Sequence, residues 1–143
     1  MSIFCWPARV YWEDTDGGGV VYYANYLKFL ERARTEWLRS LGFSQRELAR
    51  TAGIVFAVRS VKIDYRRPAR LDDELCVTCE PRARGAASLS FAQRILKAAP
   101  AAAAAAEDLL AGAEVRIACL DARTFRPQPL PDMLLSALGA QED

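Results

Sequence analysis

The segment WEDTDGGGVVYYANYLKFLERARTEWL, Trp12–Leu38, changes from a turn to a helix within a few residues. Its acids and consecutive glycines predict a turn over Asp14–Gly19, since glycine adopts positive φ without strain. From about Asn25 apolar residues recur every three or four positions, which indicates an amphipathic helix ending at Gly42. The expected apolar stripe consists of Leu27, Leu30, Ala33, Trp37, Leu38 and Leu41.

The flanking segments have the alternating pattern of strands. Ala8–Glu13 predicts a first strand, and Ser44–Ala52 predicts a short second helix capped by Ser44. Four further strands are expected, one starting near Ile54 and the others around Leu75–Glu80, Leu89–Ile95 and Val115–Cys119. One long helix and an antiparallel sheet of about five strands bury their apolar faces best when the sheet curves around the helix. This α+β arrangement is the hotdog fold.

Length predicts a single domain over residues 1–143. Within it, the alanine-rich residues 98–109 are expected to be a loop insertion without chemistry, because Pro100 and the short length disfavour a helix. Residues 127–143 form a tail that should end in a short helix. No apolar run approaches the ~20 residues of a membrane helix, and the start lacks signal-peptide features, so we expect a cytoplasmic location.

The chain contains no histidine, and its formal net charge is +1. It therefore lacks the histidine of Ser-His-Asp and Cys-His catalysis. The charge gives no indication of nucleic-acid binding. The C-x-x-C pair Cys76 and Cys79 has no second pair or histidine to complete a zinc site, and no metal is expected. Both thiols are predicted to be free, on opposite faces of a strand.

The turn before the helix has features of a catalytic site. Gly17–Gly19 let backbone approach a ligand, and the first turn of the helix leaves N–H donors that favour negative charge. A carboxylate at Asp16, beside such donors, suits acyl transfer. The alternative is that Asp14 and Asp16 only cap the turn. A calcium loop would need later ligands, and neither the Rossmann nor the P-loop glycine pattern is present.

The string VYWEDTDGGGVVYYANYLKFLERARTEWL closely resembles the signature of the 4-hydroxybenzoyl-CoA thioesterase family. Within that family, the chain is most similar to the Tol–Pal-associated acyl-CoA thioesterases of Gram-negative bacteria. The resemblance continues in order through VKIDYRRPARLDDEL, GAASLSFAQRIL, AEVRIACLD and RPQPLP. It implies a hotdog-fold hydrolase that cleaves a fatty or aromatic acyl-CoA to the free acid and CoA without a cofactor.

The resemblance also implies roles for individual residues. Asp16 matches the catalytic aspartate, as nucleophile or as general base, and the backbone N–H of Tyr23, with Gly19 in the same turn, matches the group that polarises the thioester carbonyl. Glu31 matches an acidic position facing the acyl pocket, although a solvated helix charge is the alternative. The other candidates for substrate binding are Asn25, Tyr26 and Ser90, and for the CoA phosphates Arg66, Arg67, Arg84, Arg123 and Arg126.

One departure is Tyr23, which stands where the Tol–Pal-associated subgroup usually has histidine. It motivates a second hypothesis, a non-catalytic module that binds acyl groups, an acyl carrier protein or the Tol–Pal machinery. A hotdog dehydratase is disfavoured because that chemistry relies on histidine. The resemblance further implies a homodimer or homotetramer joined at sheet edges. The resemblance implies that the protein does not insert stably into a membrane, but it allows association with the inner face of the membrane.

Overall fold

The computed structural model describes residues 3–97 and 108–142. The long helix is α1, Tyr26–Ser40, and it follows two 3-10 turns, Trp12–Asp14 and Tyr23–Asn25. The other elements are β1 Phe4–Arg9, α2 Gln45–Glu47 with a following π-helical turn Leu48–Ala52, β2 Ile54–Tyr65, β3 Glu74–Gly85, β4 Ser88–Lys97, β5 Leu109–Asp121 and α3 Asp132–Glu142.

The five strands form one antiparallel sheet in the order β1-β3-β4-β5-β2. Within the described residues, no strand pairs with the outer edge of β2. This edge exposes the apolar side chains Val58, Val61 and Tyr65. An unpaired, partly apolar edge is one that proteins usually cover. The expected edge-to-edge homodimer or homotetramer remains a prediction, and the mass of the protein in solution would test it.

Helix α1 lies against the inner face of the sheet and forms the core with it. Leu30, Ala33, Trp37 and Leu38 are buried as predicted, and the Trp37 ring meets Phe91 of β4 edge-on at 5.1 Å. The prediction was wrong at Leu27, which is 40% exposed. The buried face runs instead through Tyr26 and Phe29, which lie about 100° and about 160° around the helix from Leu27. The α+β hotdog architecture is confirmed.

The first strand was misplaced by the sequence prediction. It spans Phe4–Arg9, not Ala8–Glu13, and pairs with β3 in the register Pro7↔Cys76 and Arg9↔Glu74. Trp12–Asp14 forms a 3-10 turn because the Asp14 carboxylate accepts the Tyr11 N–H at 2.8 Å and turns the chain away from the sheet. The aromatic and β-branched residues of this segment therefore lie outside a strand.

The cysteine prediction was half right. Cys79 is a buried free thiol, and burial raises its pKa. Cys76 is instead joined to Cys5 by a disulfide with the two Cα atoms 5.8 Å apart. The pairing of β1 with β3 places Cys5 opposite Thr78, diagonal to Cys76. This contact between distant segments could not be predicted from the spacing of Cys76 and Cys79 alone.

The C-terminal part of the chain agrees with its predicted tail. The expected short helix is α3, which packs Leu134 and Leu138 into the core. Of the predicted alanine-rich insertion, residues 98–107 lie outside the described residues, and Leu109 already belongs to β5. None of the helices within residues 3–97 and 108–142 is long and apolar enough to cross a membrane.

Candidate active site

The glycine-rich segment folds into a tight hairpin before α1. Thr15 bridges Val21, and the Asp16 N–H donates to the Val20 carbonyl at 2.8 Å. The Gly19 N–H closes the turn by donating to the Asp16 carbonyl at 3.2 Å, with Gly19 at φ +79°. This conformation favours glycine, so the last glycine of the run is required by the turn. The tip of the hairpin is exposed.

Asp16 lies at this tip, and its carboxylate is exposed to solvent. One oxygen, Oδ1, accepts the Gly18 N–H at 2.7 Å. In the described part of the chain, the other oxygen has no hydrogen-bond partner. Asp16 therefore caps the turn, as the alternative interpretation expects, and still presents one carboxylate oxygen to a ligand. Both functions are compatible because a carboxylate has two acceptor oxygens.

Asp14 is the buried acid of the pair, at 8% exposure. Its carboxylate accepts the Tyr11 N–H, and its carbonyl accepts both the Tyr22 N–H and the Asn25 side-chain amide, each at 3.0 Å. These bonds attach the hairpin to the start of α1. Asn25 thus uses a side-chain N–H to hold the loop, which indicates a positioning role, and its contact with substrate remains a prediction.

Tyr23 opens the 3-10 turn that leads into α1. N–H groups in a first helical turn have no intrahelical acceptor, so this peptide can donate to a ligand. The Tyr23 carbonyl accepts a hydrogen bond from the Tyr65 hydroxyl at 2.9 Å. The Tyr23 side chain is 63% exposed and packs on Tyr22, with ring centroids 4.9 Å apart. The hairpin and this turn place a carboxylate and backbone donors on one short segment.

Tyr26 is a buried residue that joins α1 to the segment after β2, and its predicted contact with substrate is not tested by this position. It is 3% exposed, its hydroxyl accepts the Ala69 N–H at 3.0 Å, and its ring meets Tyr65 edge-on at 5.1 Å. Burial, followed by the neighbouring phenols Tyr26 and Tyr23, raises the pKa of Tyr65. Tyr65 therefore keeps its proton at neutral pH and can donate to the Tyr23 carbonyl.

A cleft runs along α1 between the helix and the sheet. Glu31 lies at its exposed rim, where its carboxylate accepts the Thr35 hydroxyl at 3.3 Å. The polar part of the lining is completed by Arg34 and Gln45. The remaining lining is apolar: Trp37, Leu38, Phe56, Ala57, Val58, Leu89, Phe91, Ile117 and Leu134. An apolar cleft with a few polar groups is typical of a small-molecule site.

The predicted CoA-binding residues do not form one cluster within the chain. Arg66 and Arg67 follow β2, and the backbone N–H groups of both residues donate to the Leu110 carbonyl. Arg84 lies at the β3–β4 turn. This turn is near the opposite end of β5, because Ser88, the first residue of β4, pairs with Ala118 of β5. The two groups are separated by about seven strand residues, or roughly 23 Å. Arg123 and Arg126 lie in the exposed loop after β5.

Ser90 is used by the sheet. Its hydroxyl accepts the Ala83 N–H at 3.2 Å and lies 3.3 Å from the Ala83 carbonyl, at the bulge between Pro81 and Ala83. A serine that satisfies a bulge has a structural explanation. The predicted contact of Ser90 with substrate is therefore not needed to explain its position.

Comparison with known proteins gives the family. The Thioesterase-like superfamily matches residues 10–138. The chain belongs to this superfamily. It is 44% identical over 135 residues to the acyl-CoA thioester hydrolase YbgC of Escherichia coli O6:H1, covering 94% of this chain and 95% of the relative. It is 41% identical over 134 residues to the acyl-CoA thioesterase YbgC of Haemophilus influenzae, covering 94% and 93%. The protein is a thioester hydrolase.

A solved structure supports the same assignment. A 1,4-dihydroxy-2-naphthoyl-CoA thioesterase from Synechocystis superimposes with a TM-score of 0.84, at 26% identity and 99% coverage of both chains. In this chain, one long helix lies against an antiparallel sheet, and the cleft lies between the two.

Two functional candidates of this thioesterase were missed by the sequence prediction, Tyr65 and Arg34, whereas Asp14 was expected only to cap the turn. The acids Asp14 and Asp16 look equivalent in sequence, and only burial separates them. Tyr65 reaches the turn from 42 residues away, through the packing of the end of β2 on α1. No local spacing signals such a contact.

The Tyr65 hydrogen bond gives a first prediction. Tyr65→Phe removes the donor to the Tyr23 carbonyl and loosens the turn that carries the expected N–H donors. Since one hydrogen bond is worth about 0.5–1.5 kcal/mol, kcat should fall about two- to tenfold with little change in KM. Tyr22→Phe is the control, because it removes a neighbouring hydroxyl that does not bond this carbonyl. Equal kcat values for the Tyr65 variant and the wild type would rule out the positioning role.

Proposed function

We propose that this thioesterase hydrolyses acyl-CoA to the free acid and CoA at the segment from Asp16 to Tyr23. The observation that carries the proposal is an exposed carboxylate, with one oxygen open, on a hairpin hydrogen-bonded to the start of α1. A carboxylate next to unpaired backbone donors has the parts that acyl transfer requires. The relatives named acyl-CoA thioester hydrolase support the same substrate class.

In the proposed reaction, the Tyr23 N–H donates to the thioester carbonyl oxygen and stabilises the negative charge that develops there. Gly19 allows the hairpin to approach the substrate closely. Asp16 removes a proton from water, and the water oxygen bonds to the carbonyl carbon. The intermediate then expels the CoA thiolate, which takes up that proton. Alternatively, Asp16 attacks the carbon itself and expels the CoA thiolate, and water then cleaves the mixed anhydride and supplies the proton that converts the thiolate to the thiol. Both routes yield one acid and one thiol.

The acyl group is proposed to lie in the cleft along α1, with Glu31 at the rim and apolar side chains of the helix and sheet along its walls. Because the candidate arginines lie at opposite ends of the sheet, the phosphates of one CoA would contact the arginines of only one end. Arg84 with Arg126, or Arg66 with Arg67, are the two sets that a single chain offers.

The first test is thiol release from short, long and aromatic acyl-CoAs. We expect turnover of at least one class, with the rate saturating as substrate rises. Absence of thiol release from every class, with acyl-CoA still bound, would contradict hydrolysis at this site. It would favour the second hypothesis, a module that binds acyl groups or an acyl carrier protein.

A docking function in addition to hydrolysis, the binding part of the second hypothesis, is supported by the exposed aromatic side chains beside the hairpin. Trp12 is 80% exposed and Tyr11 61% exposed. Such residues can serve in docking to a protein or to the inner face of a membrane. We also propose that the protein is cytoplasmic, forms a homo-oligomer and contacts the Tol–Pal machinery. Binding of acyl carrier protein by the wild type, lost in Trp12→Ala, would support the docking role.

A further inference from the structure

Arg34 is the one basic residue of α1 that lines the cleft. It is half-buried, whereas Arg32 and Arg39 on the same helix are exposed. Its Nη1 donates to Oε1 of Gln93, a β4 residue that is 1% exposed, at 3.0 Å. The guanidinium is therefore held against the sheet, at the wall of the cleft.

Gln93 is itself held in one orientation. Its side-chain amide donates to the Leu30 carbonyl of α1 at 3.0 Å and to the Thr78 carbonyl of β3 at 3.2 Å. Because both of these partners are acceptors, they must face the NH₂ group, and Oε1 must face Arg34. A buried amide with all its partners assigned gives Arg34 a rigid anchor from the sheet.

Among the described residues, no ion pair neutralises the charge of Arg34. Across residues 3–97 and 108–142, no carboxylate oxygen lies within the 4.0 Å of a salt bridge to its guanidinium. Glu31, three residues earlier on the same face of α1, is exposed and accepts the Thr35 hydroxyl. Burial lowers the pKa of Arg34, and Cys79 and Glu31 partly oppose this effect. Arginine nevertheless stays protonated, so a partly dehydrated cation lines the cleft.

We propose that Arg34 binds an acceptor oxygen, a carboxylate or hydroxyl, at the distal end of the acyl group. This inference rests on the proposed function, since it takes the cleft to be the acyl site. A partly desolvated guanidinium gains most from an oxygen partner, and with one edge bound to Gln93 its other N–H groups are available to the ligand. The enzyme would then prefer oxygen-bearing acyl groups over plain alkyl groups of equal length.

Non-hydrolysable thioethers test binding separately from catalysis. The probes are S-hexyl-CoA, S-(5-carboxypentyl)-CoA and S-(6-hydroxyhexyl)-CoA, measured by isothermal titration calorimetry. The wild type should bind at least one oxygenated probe about tenfold or more tightly than S-hexyl-CoA, the gain of one charge-assisted hydrogen bond. Equal affinities for all three probes, or no binding of any, would overturn the proposal.

Arg34→Met keeps an unbranched apolar side chain and removes the guanidinium donors. Its preference for the oxygenated probe should fall below about twofold, while the affinity for S-hexyl-CoA changes little. Arg32→Met is the matched control, because the same change two residues earlier affects an exposed side chain over Phe29. Arg34→Lys keeps the charge and should retain part of the preference. If Arg34→Met keeps the wild-type preference, Arg34 is structural and the proposal is wrong.

Hydrolysis separates this inference from the proposed function. Thiol release from adipoyl-CoA and hexanoyl-CoA, which have equal carbon counts, should favour adipoyl-CoA through a lower KM if the carboxylate probe binds better. A binding preference without any thiol release would overturn the proposed function and support the Arg34 site. Turnover of both thioesters, with equal affinities for the three probes, would support the proposed function and overturn the Arg34 site.

Discussion

Asp16→Asn should lower kcat for acyl-CoA hydrolysis by about 10²–10⁴-fold, the usual contribution of a general base. The asparagine side-chain oxygen can still accept the Gly18 N–H, so the turn is expected to keep its shape. It can neither take a proton from water nor form an anhydride. Substrate binding should be nearly unchanged, so the loss belongs in kcat rather than in KM. Thiol release at saturating substrate measures it.

Asp14→Asn is the matched control for this variant. It makes the same chemical change two residues away, at the acid that is buried and bonded to the Tyr11 N–H. Its main cost should be stability, about 1–3 kcal/mol for a disturbed buried polar group, with kcat falling less than about tenfold. If Asp14→Asn abolished turnover and Asp16→Asn did not, the catalytic assignment would pass to the buried acid.

Much of the fold could be predicted because its main signals are local. The three- and four-residue period predicted α1, and the alternating segments predicted the positions of β2 to β5, whereas Leu27, Val61 and Tyr65 proved exposed. The error at Leu27 arose because leucine is apolar wherever it stands. Only packing against the sheet shows that Tyr26 and Phe29 turn inward in its place.

The candidate site was predictable to a smaller extent. The position of Asp16 before a helix is a local feature, and the structure places it on an exposed turn as expected. The bond between Arg34 and Gln93 spans 59 positions, and that between Tyr23 and Tyr65 spans 42. Such contacts depend on how strands pair and how the helix crosses them. They arise from tertiary packing, which cannot be predicted from a short segment of sequence.

Leu30→Ala should destabilise the fold by about 2–5 kcal/mol, the range for truncating a buried leucine. Leu30 is 1% exposed and packs in the core where α1 meets the sheet, so its removal leaves a cavity in addition to the lost apolar burial. The expected result is a lower midpoint of urea unfolding with an unchanged slope, followed by circular dichroism.

Leu27→Ala is the matched control, because it removes the same atoms from the same helix at a position that is 40% exposed. Its cost should stay below about 1 kcal/mol, since most surface substitutions change stability little. Comparing the stability of the two variants therefore shows which face of α1 packs against the sheet. Equal destabilisation by both variants would mean that Leu27 is covered in the folded protein. Because an edge-to-edge dimer could cover it, repeating the measurement across protein concentrations would decide between a second copy and a rotated helix, as only burial by a second copy depends on concentration.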